Sequence, residues 1–408
     1  MGILEKIKEI ELELTRTQRN KATEYHVGQL KARLAKLRTQ LLEPGGGGGA
    51  REGEGFDVSK TGDARVALIG FPSVGKSTLL SVLTGTESTA AAYEFTTLTC
   101  IPGNIYVRGT KIQLLDLPGI IEGAAHGKGR GRQVIAVAKS SDLVLMVLDA
   151  GRESEKNHRA ILEAELESVG LRLNKEPPNI YFRRKKTGGV KFASMVPLTG
   201  LGPEPARTIA DILKEYKVHN ADVLFRDDCS VDEFIDVVEG NRKYVRCLYV
   251  WNKIDCVTME DVDRLAREPH SVVISAAPAL HLNLDRLVER MWEALTLTRV
   301  YTKKRGSAPD LREPVVMTAG RHGCTVESFC AHIHRELVAT FKFALVWGAS
   351  VRHSPQHCGL AHTLLDEDVV QIVTKTATEQ KADKDYAKRV QAYYSAVQER
   401  RKKKPLRS

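Results

Sequence analysis

Nine residues, Gly70 to Thr78, read GFPSVGKST. Two glycines, a lysine and two adjacent hydroxyls stand at the spacing that holds phosphate. Gly70 and Gly75 let backbone N–H groups turn inward without a Cβ in the way. Lys76 is spaced to reach the β- and γ-phosphates of a nucleotide, and the Ser77 hydroxyl to ligate Mg2+. Phe71, Pro72, Ser73, Val74 and Thr78 complete the cradle. An apolar run, Val66 to Ile69, precedes it, and a helix-like run, Leu79 to Thr84, follows. Strand, glycine-rich turn and helix are the setting such a loop needs, and the helix N-terminus adds partial positive charge.

Further apolar runs supply the strands that must position the rest: Ile112–Leu115, Leu143–Leu148, Leu248–Trp251 and Val272–Ile274. Helical stretches alternate with them, which predicts a doubly wound, mainly parallel α/β sheet with its ligand at the strands' carboxyl ends. Three runs end in polar motifs at that edge. The first ends in Asp116-Leu117-Pro118-Gly119, the third in Asn252-Lys253-Ile254-Asp255, the fourth in Ser275-Ala276. Together they are the spaced elements of a GTP site. The Asp255 carboxylate suits guanine N1–H and the exocyclic amine, a donor pattern adenine lacks. Asn252 would hold the loop, Lys253 would lie along the base, and the Ala276 N–H would meet guanine O6. Asp116 would hold Mg2+ through water, and the Gly119 N–H would meet the γ-phosphate.

Asp116 and Asn252 stand 136 positions apart. A helix, a strand and a helix need only about 50 to 60 residues, so about 75 are inserted. The insert is placed at residues 173–243, as an α+β module with a basic hairpin, Arg183-Arg184-Lys185-Lys186. The nucleotide domain then spans 64–298. Before it, residues 1–43 read as a helical hairpin with seams at Ile3, Ile7, Ile10 and Leu14 and at Val27, Leu30, Leu34, Leu37 and Leu41. Seven basic residues against one acidic between Arg16 and Arg38 suit an RNA-contacting arm or a solvated face. A glycine-rich linker, 44–63, would let that hairpin move. Residues 299–375 read as a β-grasp-sized unit. The tail, 376–408, holds ten Lys or Arg against four Asp or Glu. It is too polar to build a core and is expected to be mobile or helical only on binding.

The 408-residue chain carries net charge +10, which favours an anionic partner such as RNA. No apolar run approaches the ~18 residues that span a bilayer, so no membrane role is expected. The N-terminus, MGILEK, fits neither a signal peptide nor the myristoylation pattern. Seven cysteines without a CxxC suggest reduced thiols and a cytoplasmic location. His322, Cys324, Cys330, His332 and His334 invite a metal reading, with Cys330 and His334 on one face of a helix Val326–Leu337. Their spacing fits no standard zinc pattern, and Cys330 suits a core.

With these motifs in place, the chain resembles the developmentally regulated GTP-binding proteins, relatives of the Obg group. The resemblance is carried by NKATEYH (20–26), GEGFDV (53–58), GFPSVGKSTLL, YEFTTLTCIPG (93–103), IQLLDLPGIIEGAAHGKGRGRQVIAVA (112–138), VEGNR (238–242), NKID and FKFALVWG (341–348). MGILEKI, LTCIPG and YTKKRG are more similar to the second eukaryotic paralogue than to the first. The resemblance implies an N-terminal helical hairpin, a P-loop GTPase domain, an inserted module similar to domain 2 of ribosomal protein S5, and a C-terminal TGS domain. It also implies GTP and GDP as ligands, Mg2+ as cofactor, a small DRG-family regulatory protein as partner, and translating ribosomes or RNA. Relatives are expected to stop soon after residue 375, leaving the tail unmatched.

The same resemblance places a switch threonine at Thr97, ligating Mg2+ and sensing the γ-phosphate. Lys76, Thr97 and Gly119 would form the catalytic set, with the water-positioning residue unassigned. Ile120 stands where Ras-like proteins carry glutamine, and isoleucine cannot hold water by hydrogen bonding. Slow intrinsic hydrolysis is the expectation. Some relatives use K+ held by a P-loop asparagine; Ser73 occupies that position here, which leaves potassium open. Arg130, Arg132 and His126 lie in the glycine-rich loop without an assigned role. The alternative to a translational GTPase switch is a ribosome- or RNA-binding scaffold in which GTP is mainly structural.

Overall fold

The computed structural model describes residues 3–18, 23–42, 62–84, 101–117, 137–152, 157–318, 324–376 and 379. The chain divides into two compact units, Met1–Val107 with Lys111–Leu295, and Arg108–Thr110 with Thr296–Ser408.

The first unit is built on strand β1, Ala64–Ile69, every residue of which is buried. Strands buried on both faces read as continuous apolar runs, which is how this one looks in the sequence. β1 pairs in parallel with β3, Thr110–Asp116, on one side and with β4, Leu143–Asp149, on the other. β4 pairs with the ten-residue β9, Lys243–Asn252, and β9 with β10, Ser271–Val273. β2, Ile101–Val107, extends the sheet beyond β3, so the order is β10-β9-β4-β1-β3-β2. That edge strand was not anticipated; its residues, IPGNIYV, include a proline and a glycine that break the apolar pattern. Helix α3, Lys76–Thr84, leaves the loop after β1. Helices α4, His158–Ser168, α7, Met259–Ala266, and α8, Leu284–Leu295, join later strands. The core combines Leu115, Met146, Leu148, Trp251, Leu162 and Leu166.

The inserted module leaves and rejoins this sheet side by side. The short β5, Leu171–Leu173, pairs with the first residues of β9, Leu171 opposite Lys243. Between them run β6, Ile180–Arg184, β7, Val190–Ser194, helix α5, Pro205–Glu215, β8, Ala221–Phe225, and helix α6, Val231–Glu239. β6 and β7 do not form the expected hairpin. β8 lies between them, antiparallel to β6 and parallel to β7. The reason is burial: Ala221, Val223 and Phe225 alternate inward along β8, and the central position covers them best. The Asn220 side chain locks the turn, accepting from the Gly189 N–H at 2.8 Å and donating to the Lys186 carbonyl at 3.1 Å. Gly188 and Gly189, at φ 103° and 68°, occupy backbone conformations that exclude most side chains. α6 starts with a Ser230–Glu233 capping box and ends at Gly240.

The N-terminal hairpin is not a detached arm. Helices α1, Ile3–Arg16, and α2, Glu24–Leu42, pair, with Arg38 and Glu11 at 2.8 Å. α2 then docks on the inserted module. Ala32 is fully buried in the core of α5 and α6, beside Ile209, Ile212 and Ile235. Lys31 meets Asp232 at 2.6 Å, Arg33 meets Glu215 at 2.8 Å, and the Tyr216 hydroxyl donates to the Ala32 carbonyl at 3.3 Å. Four of the seven basic residues that suit an RNA-contacting arm or a solvated face are therefore engaged within the chain, counting Lys36, which donates to the Glu215 carbonyl. The linker expected to free this hairpin lies, apart from Gly62 and Asp63, outside the described residues.

The second unit is a five-stranded sheet in the order β12-β11-β17-β14-β15. Its strands are β11, Leu297–Lys303, β12, Pro309–Thr318, β14, Phe341–Trp347, β15, Gln356–Cys358, and β17, Asp368–Thr374. Only the β11–β17 pairing is parallel. β13, Cys324–Thr325, and β16, Thr363–Leu364, form a separate pair. The helix expected over Val326–Leu337 is two: α9, Val326–Ile333, and α10, Arg335–Thr340. His334 between them is extended, at φ −162°, and its Nδ1 accepts from the Glu336 N–H at 3.3 Å. The break takes His334 off the helix face it was expected to share with Cys330. Cys330 is fully buried with Phe329 and Val346, and burial pushes its thiol up to about 11. Among the described residues, no three His, Cys, Asp or Glu side chains come close enough to hold a metal. His322 lies outside the described residues.

Candidate functional site

The three described motif segments and the phosphate loop meet at the carboxyl edge of the first unit's sheet. β1 delivers the loop, β3 ends at Asp116, and β9 ends at Asn252. In the loop, Gly70 packs so closely on β4 that a Cβ would lie 2.4 Å from the Val147 carbonyl. A Cβ on Gly75 would lie 2.4 Å from Asn252 Nδ2, and Gly75 is at φ 95°. Both glycines are thus demanded by close approach. Pro72, Ser73, Ser77 and Thr78 are exposed, while Val74 and Lys76 are buried. Phe71 tilts against the His158 ring, 4.4 Å between centroids.

The Lys76 ammonium donates to the carbonyls of Gly70, at 2.9 Å, and Phe71, at 2.8 Å. Burial pushes its pKa down, while the Asp116 carboxylate pulls the other way. Burial likewise pushes the Asp116 carboxyl up, against the Ser77 hydroxyl and Lys76. Ser77 donates to Asp116 Oδ2 at 2.7 Å, and Asp116 Oδ1 is buried with no hydrogen-bond partner among the described residues. A buried carboxylate oxygen left unpaired is costly. An oxygen-ligated divalent cation would satisfy it, so this donor pair fits Mg2+.

Asn252 clamps the loop from the base side. Its Nδ2 donates to the Val74 carbonyl at 2.9 Å, and its Oδ1 accepts from the Ala276 N–H at 3.0 Å. That N–H, expected to meet guanine O6, is already engaged, so it would reach a base only through a shared, three-centre bond. Lys253 sits in the left-handed region at φ 66°. Its ammonium donates to the Ser73 carbonyl at 2.9 Å and to Asp149 Oδ2 at 2.8 Å. Asp255 is exposed, with Oδ1 accepting from the Ser275 hydroxyl at 2.6 Å. That hydroxyl is the main cause holding its carboxyl below the usual range.

Asp149 is the residue sequence reasoning missed. It ends β4 at the same edge, is 7% exposed, and also accepts from the Gly151 N–H at 3.1 Å. A carboxylate closing the apolar run Leu143–Leu148 was the available signal. Thr97, Gly119, Ile120, His126, Arg130 and Arg132 lie outside the described residues.

Three family models match in succession. "50S ribosome-binding GTPase" covers residues 65–184, "C-terminal region of MMR_HSR1 domain" 187–297 and "TGS domain" 298–374. "Developmentally-regulated G-protein 2" of Arabidopsis thaliana is 63% identical over 409 residues, covering 100% of both chains. "Developmentally-regulated G-protein 1" of the same plant is 62% identical over 412 residues, again covering both. "Developmentally-regulated GTP-binding protein 2" of Homo sapiens is 62% identical over 375 residues, 92% of this chain and 100% of that one. The alignment with both plant relatives therefore extends over the tail. The human relative ends about where expected, but both plant relatives align to the full length. The loop, Asp116 and the NKID segment gathered at one sheet edge, with these matches, make the chain a GTP-binding P-loop GTPase of the developmentally regulated GTP-binding protein family.

Proposed function

We propose that this GTPase is a slow, Mg2+-dependent switch acting on translating ribosomes together with a small regulatory protein of the kind associated with its family. The observation that carries the nucleotide part is the Asn252 clamp, which joins the phosphate loop at Val74 to the base loop at Ala276. One side chain thereby sets the distance between phosphate and base subsites. Lys76 turns from its two carbonyls to the phosphates, whose charge restores what burial takes from the ammonium. Asp255 receives the guanine edge, and Lys253, braced by Asp149, lies along the ring. Ser77 and Asp116 would hold Mg2+, which supplies charge neutralisation at the phosphates. Thr97 and Gly119 would complete the catalytic set on the γ-phosphate side.

Ribosome association is supported by the net charge of +10 and by a family model described as ribosome-binding. A cytoplasmic role is consistent with six described cysteines, all free thiols. Among the described residues, no helix is long and apolar enough to cross a membrane. Ile120 gives weight to the scaffold alternative, because nothing at that position orients water. Multiple-turnover phosphate release, with and without purified ribosomes, separates the two. The switch requires slow release that ribosomes accelerate. Release that stays negligible in both, with GTP bound throughout, means the nucleotide is structural. Repeating the assay in K+ and in Na+ decides the question raised by Ser73.

A further inference from the structure

Helices α5 and α6 cover one face of the module's three-stranded sheet over β8 and β6, while the edge strand β7 is exposed throughout; among the described residues the other face is open. Ala221, Val223 and Phe225 of β8 are buried in the core shared with α5 and α6. Phe182 of β6 and Phe192 of β7 lie opposite Val223 in the two ladders and so point the same way. Phe192 meets the Phe225 ring edge-on at 5.8 Å, which confirms the sidedness. The alternate residues therefore form the outer face in two rows. One row is Tyr181, Leu224 and Ala193; the next is Arg183, Asp222 and Lys191. The rows stand about 7 Å apart along the strands.

Tyr181 is 47% exposed, and Arg183, Lys186 and Lys191 are exposed. Among the described residues, none of those three cations has an ion-pair partner. Asp222, the acid in the middle of the charged row, is paired with Lys185. The outer face thus presents an aromatic ring one row from the cations Arg183 and Lys191. Rings on an open sheet stack unpaired bases, and flanking cations meet the phosphates. A flat sheet cannot enter the deep, narrow groove of an RNA duplex, whereas a single strand offers its base faces.

We propose that this face binds single-stranded RNA, with Tyr181 stacking on a base and Arg183 and Lys191 meeting the adjoining phosphates. This rests on the reading that RNA is a partner of the protein, and it says where the strand lies. The test uses the full-length chain with GTP and a labelled, unstructured RNA of about 12 nucleotides, followed by fluorescence anisotropy. Tyr181→Ala should weaken binding about tenfold without changing the slope of log K against log[salt]. Tyr181→Phe should bind as the parent does. Arg183→Ala with Lys191→Ala should weaken binding and flatten that slope by about 1.4. GTP affinity, unchanged in every variant, reports that each is folded. Tyr181→Ala should leave the affinity for an RNA hairpin duplex unchanged, because paired bases offer the ring no free face. If the parent binds RNA and Tyr181→Ala binds equally well, the face is wrongly assigned and the proposal falls. If Tyr181→Ala weakens the duplex as much as the single strand, stacking is not the mode and the proposal falls. If the parent binds neither RNA nor ribosomes, the partner reading itself fails.

Discussion

Asp255 shows how much one exposed carboxylate is asked to do. It has no core to hold it; the Ser275 hydroxyl on Oδ1 and the Cys256 thiol on Oδ2 orient it, and the hydroxyl is the main cause holding its carboxyl below the usual range. Asp255→Asn exchanges an acceptor pair for an acceptor and a donor, which matches xanthine better than guanine. GTP affinity should fall by about 1.5–3 kcal/mol, with a gain for XTP, read by competition against a fluorescent nucleotide. A variant that binds GTP like the parent would remove Asp255 from the base site. Ser77 poses the matching question at the other end. Its hydroxyl now donates to Asp116 Oδ2, beside the unpaired Oδ1. Ser77→Asn should weaken GTP in Mg2+ by about 1.5–3 kcal/mol, GDP by less, because the triphosphate state depends more on the cation. Isothermal titration with each nucleotide checks this; equal losses for both would mean a fold defect instead.

At the scale of elements, the inserted module is held at several points. Arg172 of β5 grips Asp236 of α6 through two bonds, at 2.7 and 2.9 Å, and the Tyr244 hydroxyl of β9 donates to the same carboxylate at 3.1 Å. Arg242 adds Glu239 at 2.8 Å. The two strands that carry the module out and back are thus pinned to one of its helices. α2 is fixed differently, by Ala32 set among isoleucines with charged pairs around it. Exposed pairs of that kind stabilise little, so the apolar contact should dominate. Ala32→Glu would bury an unpaired carboxylate at a cost of about 3 kcal/mol or more, which undocking of the hairpin would relieve. Hydrogen exchange should then show α2 amides losing protection while β1 and α3 keep theirs. Continued protection of α2 would mean that the contact at Ala32 is not what holds it.

For the whole molecule, charge is unevenly shared. The tail beyond residue 375 carries a net charge of +6, from ten basic and four acidic residues, out of +10 for the chain. In the hairpin, by contrast, Lys31 and Arg33 meet acids of the inserted module, and Arg38 meets Glu11 of α1. Long-range attraction to a phosphate backbone should therefore depend on the tail more than on the hairpin. Deleting Thr376 to Ser408 should weaken RNA or ribosome binding and flatten the salt slope by roughly 2 to 4. GTP affinity should not change, since every nucleotide motif precedes residue 277. The tail's contribution is read from the slope and the Tyr181 contribution from affinity at fixed salt, so the two separate cleanly. An unchanged slope would leave the tail as a solvated appendage or a signal read by another protein.

What the sequence determined by itself was the chemistry and the edge where it gathers. Phosphate and guanine each demand particular residue types directly after a buried strand, so GFPSVGKST, Asp116 and NKID announce their positions without any knowledge of packing. Buried parallel strands announce themselves in the same way, as unbroken apolar runs. Three features had to wait for the tertiary structure. β8 runs between β6 and β7 because alternating burial says which side of a strand faces inward and nothing about which strand lies beside it. α2 packs on the inserted module because a seam that fits a partner helix equally fits two helices nearly two hundred residues away. Asp149 braces Lys253 because that pairing joins the ends of two strands about a hundred residues apart, and only the register of β4 on β9 puts them side by side. Local preference selects elements and local chemistry labels them, but pairing across distance is settled by the burial of the whole.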